Sequence, residues 1–276
     1  MSDRYKREKL RWNGWGWKDV FFDFESREHA LLGVLMRELE CTDWEKTPAC
    51  ALDEIEILPS ALTPAQYDAL LEIVGEDALK VDRYERIFHA LGKSYYDIVR
   101  IRHGELGYVP DVVVYPGTTA QVERIVQFAQ RESYAVIPFG GGSSVVGGVE
   151  ACKDEEQMGI ITLDTTRMDK LLSFDYTSQT AVFQSGIYGP PLEAQLQKRG
   201  YTLGHYPQSF EFSTLGGWIA AHGAGQQSNR YGTAADFLIA ATVATPQGLW
   251  KTKPFPHSST GPDLNSLVVG SEGILG

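Results

Sequence analysis

Cysteine is scarce in this 276-residue chain: Cys41, Cys50 and Cys152 are all there is. They form no CxxC pair and their number is odd, which argues against a disulfide framework and for reduced thiols in a cytosolic-type compartment. Cytoplasm is therefore the expected location, and no metal site is expected. Basic charge is also short, with 25 Lys and Arg against 36 Asp and Glu and a net charge of −11. Nucleic acid and anionic membrane surfaces reward a basic face, so neither is expected as the main partner. A small anionic ligand needs only local donors and stays open. No apolar run approaches the roughly 18 residues of a membrane-spanning helix. The opening segment MSDRYKREKLRW is charged and has no apolar centre, so it does not read as a secretory signal. No repeat of fixed period and no flexible linker is seen.

What is present is an ordinary globular composition, 43% apolar and 22% charged, long enough for one large domain or two smaller ones. Residues 1–107 read as mostly helical and irregular. Helix formers run from Arg27 to Glu38. Thr63-Pro64 reads as a cap and a first-turn proline opening a helix to about Val74. Asp82 to Leu91 suits another short helix. The segment RWNGWGW (11–17) places three tryptophans within six residues. It reads either as an anchor that packs a tail onto the main body or as one wall of a ligand tunnel.

The pattern changes near residue 108. Asp111–Tyr115 is a β-branched run ended by Pro116-Gly117, hence a strand. Thr118 caps a helix to about Glu132 with Val122, Ile125, Val126 and Ala129 on one face. Ala135–Pro138 is a second strand, and a strand–helix–strand unit favours parallel pairing. Further strands are expected at 160–163, 170–174, 180–184 and 201–203. Helices are expected at 190–198 and 214–221. A hairpin is expected from 236–244 to 249–253 around Pro246-Gln247-Gly248.

The 28 glycines gather at 140–148, 216–225 and 270–276. Consecutive glycines let backbone N–H groups approach a phosphate. The loop Pro138-Phe139-Gly140-Gly141-Gly142-Ser143-Ser144 holds no lysine up to Val149, so the ATP- or GTP-binding P-loop fits badly. A dinucleotide fingerprint also fits badly: Gly140 and Gly142 supply two of its glycines, but the third position is Val145. Downstream, His205 to Trp218 alternates small hydroxyls and glycines with aromatics. That suits a bulky planar ring with polar edges and a phosphate tail.

The order PFGGGSSV, GHYPQSFEFSTLGGW, NRYG, STGPD and GSEGILG, together with RWNGWGW, resembles the vanillyl-alcohol-oxidase (PCMH-type) family of FAD-binding flavoproteins, and within it the alkyldihydroxyacetonephosphate (alkylglycerone-phosphate) synthase branch and its bacterial relatives. The likeness covers nearly the whole chain. It implies an α+β class: a PCMH-type FAD-binding fold of two α/β subdomains with a mostly helical N-terminal extension. The extension would be 1–107 and the FAD-binding domain 108–276, split at about 108–165 and 166–276. The cofactor implied is FAD, with Pro138, Phe139, Gly140, Gly141, Gly142, Ser143 and Ser144 on its diphosphate. Gln208, Ser209, Phe210, Glu211, Phe212, Ser213, Thr214, Gly216 and Gly217 would follow along the diphosphate, ribityl chain and flavin. His222, Gly223 and Ala224, then Glu272, Gly273, Ile274, Leu275 and Gly276, would contact the rest.

The first loop carries no His or Cys, where many relatives attach FAD covalently, so non-covalent FAD is expected. The activity implied is exchange of an acyl for an alkyl chain on acyl-dihydroxyacetone phosphate, the ether-forming step of ether-lipid synthesis. The alternative is an FAD-dependent dehydrogenase or oxidase of a 2-hydroxy acid or alcohol. Either way the partner is a small-molecule substrate, and the likeness leaves room for a homodimer. Three positions depart from the family pattern: His222 and His257 stand where relatives carry Arg, and Gln208 where they carry an acid. The family's catalytic residues and cap domain follow the GSEG segment, so a truncated chain, inactive by itself, is expected and no catalytic residue is named.

Overall fold

In the computed structural model of the protein, which describes residues 6–21, 24, 27–42, 48–255 and 258–276, local side-chain oxygens set most of the helix starts. Helix α1 spans Glu28–Glu38. Thr63 and Gln66 form a reciprocal capping box with Pro64 in the first turn, opening α2 (Pro64–Val74) as the sequence indicates. Asp82 caps α3 (Arg83–Phe88), which is shorter than the expected 82–91. Ser94 and Asp97 form a second box opening α4 (Tyr95–His103), closed by left-handed Gly104.

The central sheet has four strands: β1 (Leu79–Lys80), β2 (Val112–Val114), β3 (Tyr134–Phe139) and β4 (Gly159–Asp164), in the order β1-β2-β4-β3. Here β2 and β4 run parallel, β4 and β3 run parallel, and β1 joins the β2 edge antiparallel. The connecting helix α5 (Thr119–Glu132), capped by Thr118, does link parallel strands. However, β2 and β3 are not neighbours, because β4 lies between them. The reason is burial: every residue of β4 is buried, and a strand covered on both faces belongs in the middle of a sheet.

Alternation along the strands gives the sheet two different faces. One carries Val112, Val114, Ile161 and Leu163, packed under Leu70 and Ile73 of α2 and Ile125 and Phe128 of α5. The other carries Val113 of β2, with Tyr115 just beyond it, and Ile160 of β4. Phe139 and Asp164 sit opposite each other at the carboxyl ends of β3 and β4.

The second half begins with the hairpin β5 (Leu171–Asp175) and β6 (Thr180–Phe183). Asp175 holds its turn by accepting from the Thr177 and Ser178 amides. Helices α6 (Gly189–Gln197), α7 (Leu215–Ala220), α8 (Ser228–Tyr231) and α9 (Ala234–Phe237) follow, then the hairpin β7 (Thr242–Thr245) and β8 (Gly248–Lys251), and α10 (Asn265–Val268). Ile187, Leu192, Leu196 and Trp218 form their core.

Two expected strands differ here. Residues 201–203 form no strand, because Glu193 of α6 supplies the acceptor: its Oε1 takes the amides of Leu203 at 2.9 Å and Gly204 at 3.3 Å. Asp236 does not open a strand either. It closes a capping box with Thr233 and starts α9, so β7 begins only at Thr242. Among the described residues no helix is long and apolar enough to cross a membrane.

Candidate functional site

The three glycine clusters meet at the carboxyl ends of the parallel strands, where open α/β sheets bind ligands. Their glycines are there because backbone passes backbone. A Cβ on Gly141 would fall on the Phe212 carbonyl, one on Gly140 on the Thr214 hydroxyl, and one on Gly142, at φ +70°, on the Phe139 ring. Gly148 abuts the Glu272 carboxylate, and a Cβ on Gly273 would lie 2.8 Å from the Pro138 ring. The Gly270 and Glu272 amides donate to the Ile219 and Ala220 carbonyls at the end of α7. Residues 138–148, 212–214 and 270–273 are thereby joined into one surface.

Within that surface the predicted residues divide by what their side chains already do. Ser213 is committed: its hydroxyl donates to the Ser209 carbonyl and accepts from Trp218 Nε1 at 2.7 Å. Thr214 is fully buried and caps α7 through the Gly217 amide. The Ser144 hydroxyl accepts from the Gly148 amide at 3.1 Å. Phe210 stacks on Trp218 at 6.2 Å, so it is core to the second half. Gln208, Glu211, Gly217 and Ala224 are exposed. His222 is exposed in the left-handed region at φ 50°, and Gly223 is tied to Trp218 and Ala234 through its backbone. Burial pushes the Glu272 carboxyl up. Ile274, Leu275 and Gly276 are exposed at the end of the chain. His257 lies outside the described residues.

The tryptophan segment packs onto the main body and also borders a small cleft. Leu10 and Trp17 bridge antiparallel, and Trp17 is buried against Phe212 with ring centroids 5.2 Å apart. That is the anchor. Trp15 stays 40% exposed and lines a cleft with Lys93, Gly141, Ser143 and Phe212. That is a wall. The Lys93 ammonium donates to the Arg11 and Trp12 carbonyls at 3.2 and 3.1 Å, and its amide donates to the Ser144 carbonyl. Burial, helped by the field of Arg7, brings Lys93 down to about 8.

Beneath the glycine loop lies a buried charge cluster. Arg7 donates to Asp164 Oδ2 through Nε at 2.9 Å and through a terminal nitrogen at 2.5 Å. His89 Nε2 lies 3.0 Å from the same oxygen, while the Thr166 amide and hydroxyl take the other. Burial alone would drive both ions toward neutrality. Burial is the largest single effect on each, but the mutual field together with the hydrogen bonds of the cluster, from His89 and Thr166 to Asp164 and from Arg7 to Asp164, outweighs it, so the Asp164 carboxyl sits below and the Arg7 guanidinium above its ordinary range.

The backbone of Gly141, the Ser143 hydroxyl and the Lys93 cation, which line this cleft, suit a diphosphate group. The family model described as an FAD binding domain matches residues 110–252, half of the chain. The chain belongs to the FAD-binding domain family. It is 36% identical over 286 aligned residues to an alkyldihydroxyacetonephosphate synthase of Trypanosoma brucei brucei, covering 98% of this chain and 46% of that one. A solved alkyldihydroxyacetonephosphate synthase structure superposes with a TM-score of 0.88 at 35% identity, over all of this chain and 52% of the other. A mitochondrial D-lactate dehydrogenase (cytochrome) of Saccharomyces cerevisiae is 33% identical over 170 residues, 60% of this chain and 28% of that one. The chain spans about half the length of the synthases it matches. FAD is thus the cofactor, and the α+β class expected from the resemblance holds.

Sequence reasoning missed Arg7, His89, Lys93 and Asp164, which lie far from the glycine loop in the chain.

Proposed function

We propose that this chain is the FAD-binding portion of an alkylglycerone-phosphate synthase-like flavoenzyme, in which a fatty alcohol replaces the acyl chain of an acyl-dihydroxyacetone phosphate. The observation that carries this reading is extent. Similarity to the synthases runs through 98% of the chain, whereas similarity to the yeast D-lactate dehydrogenase takes in 60%. That second likeness favours the other reading, an FAD-dependent dehydrogenase or oxidase of a 2-hydroxy acid or alcohol.

The cofactor contacts belong to the same proposal. The backbone of Pro138–Ser144 takes the diphosphate. Gln208–Thr214, Gly216 and Gly217 follow the chain toward the flavin, and His222–Ala224 and Glu272–Gly276 flank it. Support comes from the way glycine packing joins these stretches. The division into an extension (1–107) and two subdomains (about 108–165 and 166–276) is also proposed, with α2 and β1 of the extension built into the first subdomain's core. A cytosolic compartment is supported by three free cysteines.

Bound FAD would supply the electron-accepting ring, and the chain's residues would bind and orient it. Retention is non-covalent, because the loop offers no His or Cys. Mild acid precipitation therefore releases all yellow colour, and flavin left on the denatured chain refutes that part. The activity is tested on the full-length protein with acyl-dihydroxyacetone phosphate and a fatty alcohol. Ether product with released fatty acid supports the synthase. Anaerobic bleaching by a 2-hydroxy acid, with oxidised product and no ether, replaces it with the dehydrogenase.

A further inference from the structure

Arg7 is buried beneath the first glycine loop. Arg7 sits in a short 3-10 turn, Arg7–Lys9, 133 residues before the glycine loop, yet one terminal nitrogen donates to the Gly140 carbonyl at 2.5 Å. Its other terminal nitrogen donates to the Tyr188 hydroxyl at 2.8 Å. Tyr188 is the residue before α6 and bridges to Thr214. Together with Asp164 at the end of β4, a single guanidinium ties four things: the N-terminal segment, the central sheet, the first glycine loop and the start of α6. Its flat face is enclosed by the rings of Phe88 at 5.2 Å and Phe139 at 5.3 Å. Arg7 is 3% exposed, so these bonds are made away from solvent.

The bond to Gly140 has a directional consequence. In a trans peptide the carbonyl and the following N–H point in opposite directions. Pinning the Gly140 carbonyl on Arg7 turns the Gly141 N–H away from Arg7, and a charge-assisted bond to that carbonyl polarises the peptide it belongs to. Gly141 lines the cleft beside Trp15 and Lys93.

We propose that Arg7 is a positioning residue of the FAD site, fixing the 140–141 peptide from behind so that its amide serves the cofactor diphosphate; the N-terminal segment is then part of the cofactor site. This rests on the reading of the glycine loop as the diphosphate cradle. Arg7 touches no cofactor atom in this scheme. It acts through Gly140.

The test uses apoprotein of the whole chain. FAD affinity is read by fluorescence titration, and the diphosphate environment by phosphorus NMR of bound FAD at saturation, for the parent, Arg7→Met and Arg7→Lys. Lysine keeps the charge but cannot reach Asp164, Tyr188 and Gly140 at once. Both variants are expected to bind FAD about tenfold or more weakly, the scale of one buried charged hydrogen bond, and to move the bound phosphorus resonances toward those of free FAD. Parent-like affinity in Arg7→Lys overturns the proposal. So does weakened affinity with unchanged phosphorus resonances, since that is the mark of general destabilisation. Should Arg7→Met not fold, Tyr188→Phe, which removes a single arm, carries the same phosphorus readout beside Arg7→Lys. A folded parent that binds no FAD fails before any variant is compared, and sinks the cradle assignment itself.

Discussion

Three glycines, replaced one at a time by alanine, separate the reasons a glycine is used here. Gly33 lies in the interior of α1 with nothing within 4 Å of an added Cβ. Gly33→Ala should stabilise the chain by about 0.5–1 kcal/mol, through helix propensity alone. Gly200 also has open space, but its φ is +81°, so Gly200→Ala should cost about 1–2 kcal/mol of backbone strain. Gly141 differs from both. Its added Cβ would sit on the Phe212 carbonyl oxygen, 2.7 Å from the carbonyl carbon and 2.9 Å from Ser213 Cα. All three are main-chain atoms that cannot rotate aside. Overpacking commonly costs about 1–3 kcal/mol, and with backbone on both sides Gly141→Ala belongs at the top of that range, about 3 kcal/mol. Urea denaturation with linear extrapolation gives each difference, and FAD titration should show a loss only for Gly141→Ala. A Gly141→Ala protein no less stable than Gly200→Ala, with unchanged FAD affinity, would refute the claim that this loop is glycine-rich because two backbones touch.

Two other predictions concern buried titratable groups. Asp164→Asn keeps the shape but strands Arg7 without its counter-ion, and should cost about 3–5 kcal/mol in urea denaturation; a loss under about 1 kcal/mol contradicts the buried-pair reading. Because the folded Asp164 carboxyl lies below its ordinary range, its contribution is fully present above about pH 4 and is lost as pH falls through the lower folded value; the variant should lack that component in an acid titration of stability. His205 is buried, with no hydrogen-bond partner on either ring nitrogen among the described residues, packed against Trp218 and Phe237. Burial lowers its proton affinity in the folded state, so the unfolded chain binds more protons and stability should fall as pH drops below about 6.5. His205→Leu should flatten that slope, and an unchanged slope rules His205 out as its source.

The helix starts were legible because capping is local. Thr63 with Pro64, Asp82, and Thr118 each carry within four residues the oxygen that satisfies the first turn. The loop 138–144 was legible for a similar reason, since consecutive glycines mark a close approach whatever is approached. Misreadings arose where a distant group took over a local role. Glu193 claimed the amides of 203 and 204, and β4 inserted between two strands that are successive in sequence. The candidate site shows the same division. Its glycines and family motifs, and with them FAD, could be read along the chain. Its charge could not, because Arg7, Lys93, His89 and Asp164 are scattered over more than half of the sequence and acquire meaning only where the sheet's second face brings them under one loop. Sequence by itself determined the cofactor and where the backbone must pass closely. Tertiary structure alone decided which face of the Gly140–Gly141 peptide is held by a buried guanidinium, since that depends on a contact between residues 133 positions apart, and no local propensity encodes it.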